Sequence, residues 1–314
     1  MTTIEKKAAL PPDAGAGRIR KRGERRGAGE LVFHTLNYTL IALFTLSCVF
    51  PFLNTFANAF SDNHAIKTGA VTFYPIGFTW DPIKAVLSDR GVIRSLFVTV
   101  FVTVVGTALQ MLFTTMTAYP LSRKELKYRS LVLNYIIVTM VFSGGLIPGY
   151  LLIKSLGMLD SLAAIIVPAL INSFNMIVLK TFFQGLPEEL REASKMDGCG
   201  NIRYVLRVAL PLSLPAIVTI SLFYAVGHWN SYFAPLLYID NPDLQTLQVK
   251  LRAILLLSQT PVSFTELQET QKLNLMEESL KSATIVFATV PILLVYPFLQ
   301  KYFVKGVMIG AVKG

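Results

Sequence analysis

Thirty consecutive residues, 31–60, contain no Asp, Glu, Lys or Arg. A soluble domain cannot wet such a run, and about 20 apolar residues are enough to cross a bilayer core. Comparable stretches recur, and the pattern predicts six spans near 31–60, 93–121, 131–154, 159–183, 213–239 and 282–304. The third is the least regular, because Ser143-Gly144-Gly145 and Pro148-Gly149 interrupt it. It reads as a kinked span or as a helix that ends at one face. Composition agrees: 53% of the 314 residues are hydrophobic and only 15% are charged, against roughly 25% in an ordinary soluble domain. The expected fold class is an all-α membrane protein with six transmembrane helices and one short helix on the cytoplasmic face.

The 48 charged residues are unevenly placed, with 12 of them in positions 1–30. Residues 1–30 therefore read as a basic, mobile cytoplasmic arm, and 31–314 as one transmembrane domain. The first apolar run is followed by no small-residue cleavage signal, so it is expected to be retained. Alternating sides across six spans place 20 of the 29 Lys and Arg residues with both termini. Cytoplasmic loops carry such an excess, so both termini are expected in the cytoplasm. The net charge of +10 is then accounted for by topology and lipid attraction, and no nucleic-acid partner is expected. The two cysteines, Cys48 and Cys199, lie in an apolar run and in a polar loop, so no disulfide is expected.

Several chemistries are missing from the sequence. It contains no G-x-x-x-x-G-K-[ST], H-E-x-x-H, C-x-x-C or G-x-S-x-G, so the chain has no phosphate-binding loop of its own and no enzyme signature. The three histidines, His34, His64 and His228, are far apart, and no metal site is expected. Asp and Glu are nearly absent from the spans, where ion-coupled carriers place them. Energy must come from elsewhere, or transport is passive.

The most informative stretch is 186–215, LPEELREASKMDGCGNIRYVLRVALPLSLP. Pro187 suits a helix start, and Glu188 and Glu189 favour its positive end. Gly198 and Gly200 suit an exit at positive φ. Residues 187–197 thus read as a short helix across the membrane plane, and a second helix is expected from about Asn201. Leu186, Leu190, Ala193 and Met196 or Asp197 recur at helical spacing. That stripe either docks in a groove of another protein or packs on the chain's own bundle.

The stretch resembles the EAA loop of ABC-importer permease subunits, E-A-A-x3-G-x9-I-x-L-P. Glu192, Ala193 and Ser194 are followed after three residues by Gly198, and nine residues later by Val208, Ala209, Leu210 and Pro211. Ser194 and Val208 depart from the pattern by small exchanges. The tail FLQKYFVKGVMIGAVKG, 298–314, looks like that of the smaller permease of maltose-type carbohydrate importers. SGGLIP (143–148), GHWNSYFAPLLYI (227–239) and YPFLQKYFVKGVMIG (296–310) are similar to the polysaccharide- and oligosaccharide-importer branch.

The resemblance implies a transport subunit of the bacterial cytoplasmic membrane rather than an enzyme. Its partners would be a second, homologous permease, two ABC ATPase subunits that bind ATP and Mg, and an extracytoplasmic solute-binding protein. No cofactor is expected in this chain. The resemblance assigns ATPase coupling to Glu188, Glu189, Arg191, Glu192, Ala193, Ser194, Asp197 and Gly198, and a tail contact to Lys305, Gly306, Lys313 and Gly314. Peptide or amino-acid permeases share the EAA loop, and a passive channel or scaffold is the alternative from another class. The spans offer candidates for a sugar path in His228, Trp229, Asn230 and Tyr232, since rings stack on sugar faces and an amide both donates and accepts. The same aromatics also suit a membrane-interface belt.

Overall fold

The computed structural model describes residues 28–257, 278–295 and 297. Among these residues every regular element is helical: α1 Ala28–Ala59, α2 Asn63–Lys67, α3 Asp81–Ser88, α4 Arg90–Ser122, α5 Arg129–Val141, α6 Leu146–Ser155, α7 Ala163–Ile166, α8 Ser173–Gln184, α9 Glu188–Met196, α10 Asn201–Tyr204, α11 Leu210–Leu212, α12 Leu214–Trp229, α13 Phe233–Tyr238, α14 Leu247–Leu257 and α15 Glu278–Val295. A π-helical turn, Val205–Ala209, joins α10 to α11, and a 3-10 turn, Pro242–Leu244, precedes α14.

The chain divides at Pro51 into two units. In the first, the described residues form the leading part of α1, which is apolar on all sides and exposed almost throughout. Thr45 there donates its hydroxyl to the Ile41 carbonyl at 2.8 Å. A helix that is apolar all round needs an apolar surrounding.

The second unit is organised on α4. Its inward stripe is Val92, Ser95, Thr99, Val102, Gly106, Gln110, Thr114, Ala118 and Leu121, while Phe97, Phe101, Val104, Leu112 and Met116 face outward. Small and hydroxyl side chains inside with large apolar ones outside invert the soluble pattern, and suit helices that approach closely in lipid. Thr99 donates to the Ser95 carbonyl at 2.9 Å and accepts the Leu247 amide at 2.8 Å. Gln110 donates to the Ala169 carbonyl at 2.6 Å. Thr114 and Tyr224 share a buried hydrogen bond of 2.7 Å between α4 and α12.

Long-range contacts sort the loops to the two ends of α4. At its N-terminal end Asp89 caps the helix, accepting the Gly91 and Val92 amides at 2.7 and 3.2 Å. Arg94 pairs with Asp243 there at 3.0 Å, and Ser279, at the start of α15, donates to Asn63 at 2.7 Å. The α4–α5 loop, α9 and α10 gather at the C-terminal end, over a core of Ala118, Leu121, Phe183, Tyr204 and Ala209.

Three described helices are long and apolar enough to cross a membrane: Gly29–Ala59, Arg90–Ser122 and Glu278–Val295. Two bent pairs raise the number to five: α5 with α6 at 115°, and residues 201–212 with α12 at 85°. The expected third span is thus sharply broken at Ser143–Gly145. The expected fourth span is not one continuous helix. Its four-residue α7 stops before Pro168, and Asn172 starts α8 afresh by accepting the Asn175 amide at 3.0 Å. The 12 residues of α8 reach only about 18 Å. The fifth ends at Trp229 rather than Ile239, with Asn230 as its C-cap and the short α13 beyond. The described part of the sixth begins at Glu278, four residues before the expected start. Positions 1–27 of the basic arm, and the tail residues Lys305, Gly306, Lys313 and Gly314, lie outside the described residues.

Candidate functional site

The segment 187–213 builds an elbow at one end of α4. Pro187 is the N-cap of α9 rather than its first helical residue, so the helix starts one position later than expected, and Glu188 and Glu189 occupy the first turn, where the helix end is positive. The exit is a Schellman motif. The Gly198 amide donates to the Lys195 carbonyl at 3.0 Å, and the Cys199 amide to the Ser194 carbonyl at 2.8 Å. Gly198 sits at φ 72° as expected. Gly200, expected to share that role, has φ −70° and is the extended N-cap of α10. The one positive φ that the turn needs is already supplied by Gly198. Pro211 and Pro215 then remove two successive backbone donors four residues apart, and the Pro215 ring crowds the carbonyl at 211. The chain bends there into α12.

The stripe on α9 is split between the two readings its periodicity allowed. Leu186 and Cys199, at its two ends, pack against the chain's own core. Between them Leu190 is 38% exposed and Met196 is 88% exposed, and Ala193 is exposed as well. Glu188, Glu189, Glu192 and Asp197 also face outward, and Glu192 has no ion-pair partner among the described residues. Two members of the expected set turn back to the chain. Ser194 donates to the Leu190 carbonyl at 2.7 Å. Arg191, its side chain only 15% exposed, contacts Glu125 at 2.8 Å and Glu188 at 2.9 Å.

Glu125 was not among the expected site residues. It is the single acid of the loop SRKELKYRS, 122–130, and that sign reversal was the available signal. The Arg191 hydrogen bond holds its carboxyl below the usual carboxylate range, and the same bond pushes the Arg191 guanidinium up. A second tie lies beside it. The Arg123 guanidinium stands 4.7 Å from the ring centre of Tyr119 on α4 and 5.5 Å from that of Tyr204 on α10. It also donates to the Tyr119 hydroxyl at 3.0 Å. Arg129 closes the loop by donating to the Leu121 carbonyl at 2.8 Å.

The four sugar-path candidates lie at the other end of α12, and they separate into two kinds. His228 is 6% exposed and its imidazole lies on Gly106 of α4, where an added Cβ would stand 2.5 Å from Nε2. Trp229 is buried among Ala59, Val92, Leu247 and Leu251. Asn230 is exposed and donates to the Val226 carbonyl at 2.9 Å. Tyr232 is half-buried, with the Arg252 guanidinium 4.9 Å from its ring centre. The first two are packing groups within this chain, and the second two reach its surface.

Known proteins resemble this chain over most of its length. Residues 25–309 match the family model described as binding-protein-dependent transport system inner membrane component. The chain belongs to that family. LplC of Bacillus subtilis is 46% identical over 90% of this chain and 95% of its own length. The polygalacturonan/rhamnogalacturonan transport system permease protein YtcP of the same organism is 43% identical over 90% of this chain and 99% of its own. Among solved structures, a chain of a bacterial ABC transporter involved in the import of the acidic polysaccharide alginate matches with a TM-score of 0.83 and 29% identity, covering 88% of this chain and 98% of that one. As an inner-membrane transport component, this chain places its apolar helices in the bilayer, and its work is transport rather than catalysis.

Proposed function

We propose that this chain is the transmembrane permease subunit of an ATP-driven ABC importer for a carbohydrate, in particular an oligosaccharide. In this reading it sits in the bacterial cytoplasmic membrane with both termini in the cytoplasm, and crosses six times, with the broken α7–α8 segment as the fourth crossing. A second, homologous permease completes the pathway, and two ATPase subunits supply ATP and Mg chemistry that this sequence has no loop to perform. An extracytoplasmic binding protein delivers the sugar.

The observation that carries the reading is the outward face of α9. A nine-residue helix, held at both ends by Leu186 and Cys199, presents Leu190, Ala193, Met196 and a Glu192 without an ion-pair partner among the described residues away from the bundle. That is the shape of a helix set into another protein's cleft. Closure of the ATP-bound ATPase pair would move this helix as a rigid body and drive alternating access. Glu188, Glu189, Asp197 and Gly198 frame the contact, and Lys305, Gly306, Lys313 and Gly314 are proposed to add a tail contact. Asn230 and Tyr232, the two open positions beyond α12, are proposed to face the sugar path, with His228 and Trp229 supporting them. The saccharides named for the relatives support the substrate class.

The test is a tagged pull-down from the native host in mild detergent, followed by mass spectrometry. A P-loop ATPase and a second multi-span permease are expected to come with the chain. Recovery of the chain alone or as a homo-oligomer, across several detergents, would replace this reading with a channel or scaffold. An accompanying binding protein is then screened against glycans, and a preference for peptides or amino acids would overturn the carbohydrate assignment.

A further inference from the structure

We infer that the α4–α5 loop is the second half of the coupling device, with Glu125 as a positioning residue that fixes the orientation of α9 through Arg191. The inference rests on the function proposed above. Of the charged residues on α9, Arg191 alone turns inward, with a side chain 15% exposed and bonded to Glu125 at 2.8 Å and Glu188 at 2.9 Å. Two carboxylates meet at its Nη1 and the side chain is largely buried, so its role lies within this chain.

The partner is 66 positions away in sequence, on a loop whose other charges, Arg123, Lys124, Lys127 and Arg129, are all positive. Without Glu125, Arg191 would keep only Glu188 on its own helix as a counter-charge, and its attraction to the loop would become repulsion. The second tie, Arg123 between Tyr119 and Tyr204, holds α10. One tie alone would leave a pivot. Two ties, one to each arm of the elbow, set its angle on α4.

Magnitude argues for orientation over stability. Glu125 is well exposed, and pairs of that kind contribute little to folding. The core of Leu121, Phe183 and Tyr204 beneath them already holds the elbow to the bundle. The ion pair adds direction, and α4 passes that direction to α12 and α8, the helices it packs against most.

The experiment uses the complete transporter in proteoliposomes, with E125R, R191E and the double variant E125R/R191E. Each single variant is expected to keep its ATPase partner but to lose uptake per ATP hydrolysed by about two- to thirtyfold, the range over which such couplings act. The double variant restores an opposite-charge pair, but Glu188 and the basic loop keep their signs, so partial recovery, above the worse single variant, is expected. Wild-type coupling in both singles, or a double variant no better than the worse single, overturns the inference.

Should a charge reversal fail to assemble, E125C/R191C in a background lacking Cys48 and Cys199 replaces it. Uptake lowered by the two substitutions is expected to return when a short bis-thiol reagent links the two positions, because α9 and the loop move as one body. Uptake abolished by the link overturns the inference. An unaltered chain with no ATPase partner at all would instead sink the proposed function, and this inference with it.

Discussion

At the scale of single residues, Gly198 carries the sharpest consequence of chirality. Its φ of 72° closes the Schellman exit of α9, and a side chain there meets no neighbour within 4 Å. Space is therefore irrelevant, and the penalty is conformational. A residue with a Cβ loses about 1 kcal/mol or more at such a φ, Asn least and β-branched residues most. The expected order of coupled uptake is Gly198, then Asn, then Ala, then Val, with membrane insertion unchanged across the series. Uptake by Gly198→Val at the level of the unaltered protein, with the ATPase bound normally, would remove Gly198 from the coupling device. This residue was legible in the sequence because one local rule, the αL position after a helix, decides it. Glu125 carried one visible mark, an acid in a basic loop, but its partner 66 positions away is one that no local pattern names. Gly200 was misread for a related reason: two glycines flanked the exit, and only the fold shows which one turns.

At the scale of elements, α4 and α12 meet along a seam that admits almost no added volume. His228 occupies the space a Gly106 side chain would need, with Nε2 2.5 Å from an added Cβ. The imidazole fills the gap between the two helices at this point, so an added methyl must displace it. Gly106→Ala is expected to lower thermal stability in detergent by about 1–3 kcal/mol through overpacking. His228→Ala vacates the same space, so the double variant should be destabilised by less than the two singles combined. Simple additivity would show that the two residues do not share the site. The seam also explains which helices were legible. The apolar runs of α1, α4 and α15 gave their positions, since lipid and packing both demand apolar surface over a fixed length. The breaks at Pro168, Asn172 and Asn230 carry no charge to mark them, and they are set by local chemistry: a proline without an amide donor and asparagines that cap.

At the scale of the whole molecule, the sorting of loops to the two ends of α4 makes the charge asymmetry testable. The 33 residues of α4 extend about 50 Å, more than the hydrocarbon core. One end gathers residues 61–89, 239–257 and the start of α15, where acids and bases nearly balance. The other gathers the 122–130 loop and the α9–α10 elbow, where bases dominate. The rule that cytoplasmic loops are basic assigns the second end to the cytoplasm, as the proposed ATPase contact requires. In a background without Cys48 and Cys199, single cysteines are placed at Tyr74, Lys124 and Met196. All three positions are exposed on this chain, so when it is expressed without its ATPase and binding-protein partners reagent access is governed by the membrane alone. A membrane-impermeant thiol reagent is expected to label position 74 on intact cells, or on spheroplasts where an outer envelope intervenes. Positions 124 and 196 should react only after the cytoplasmic membrane is opened. Because the two inner sites lie on different loops held together by Glu125 and Arg191, they must switch together. Labelling of 196 from outside would invert the orientation and leave α9 facing away from any cytoplasmic ATPase. Labelling of 124 without 196 would mean that the bracket between the loop and the elbow does not exist in the membrane.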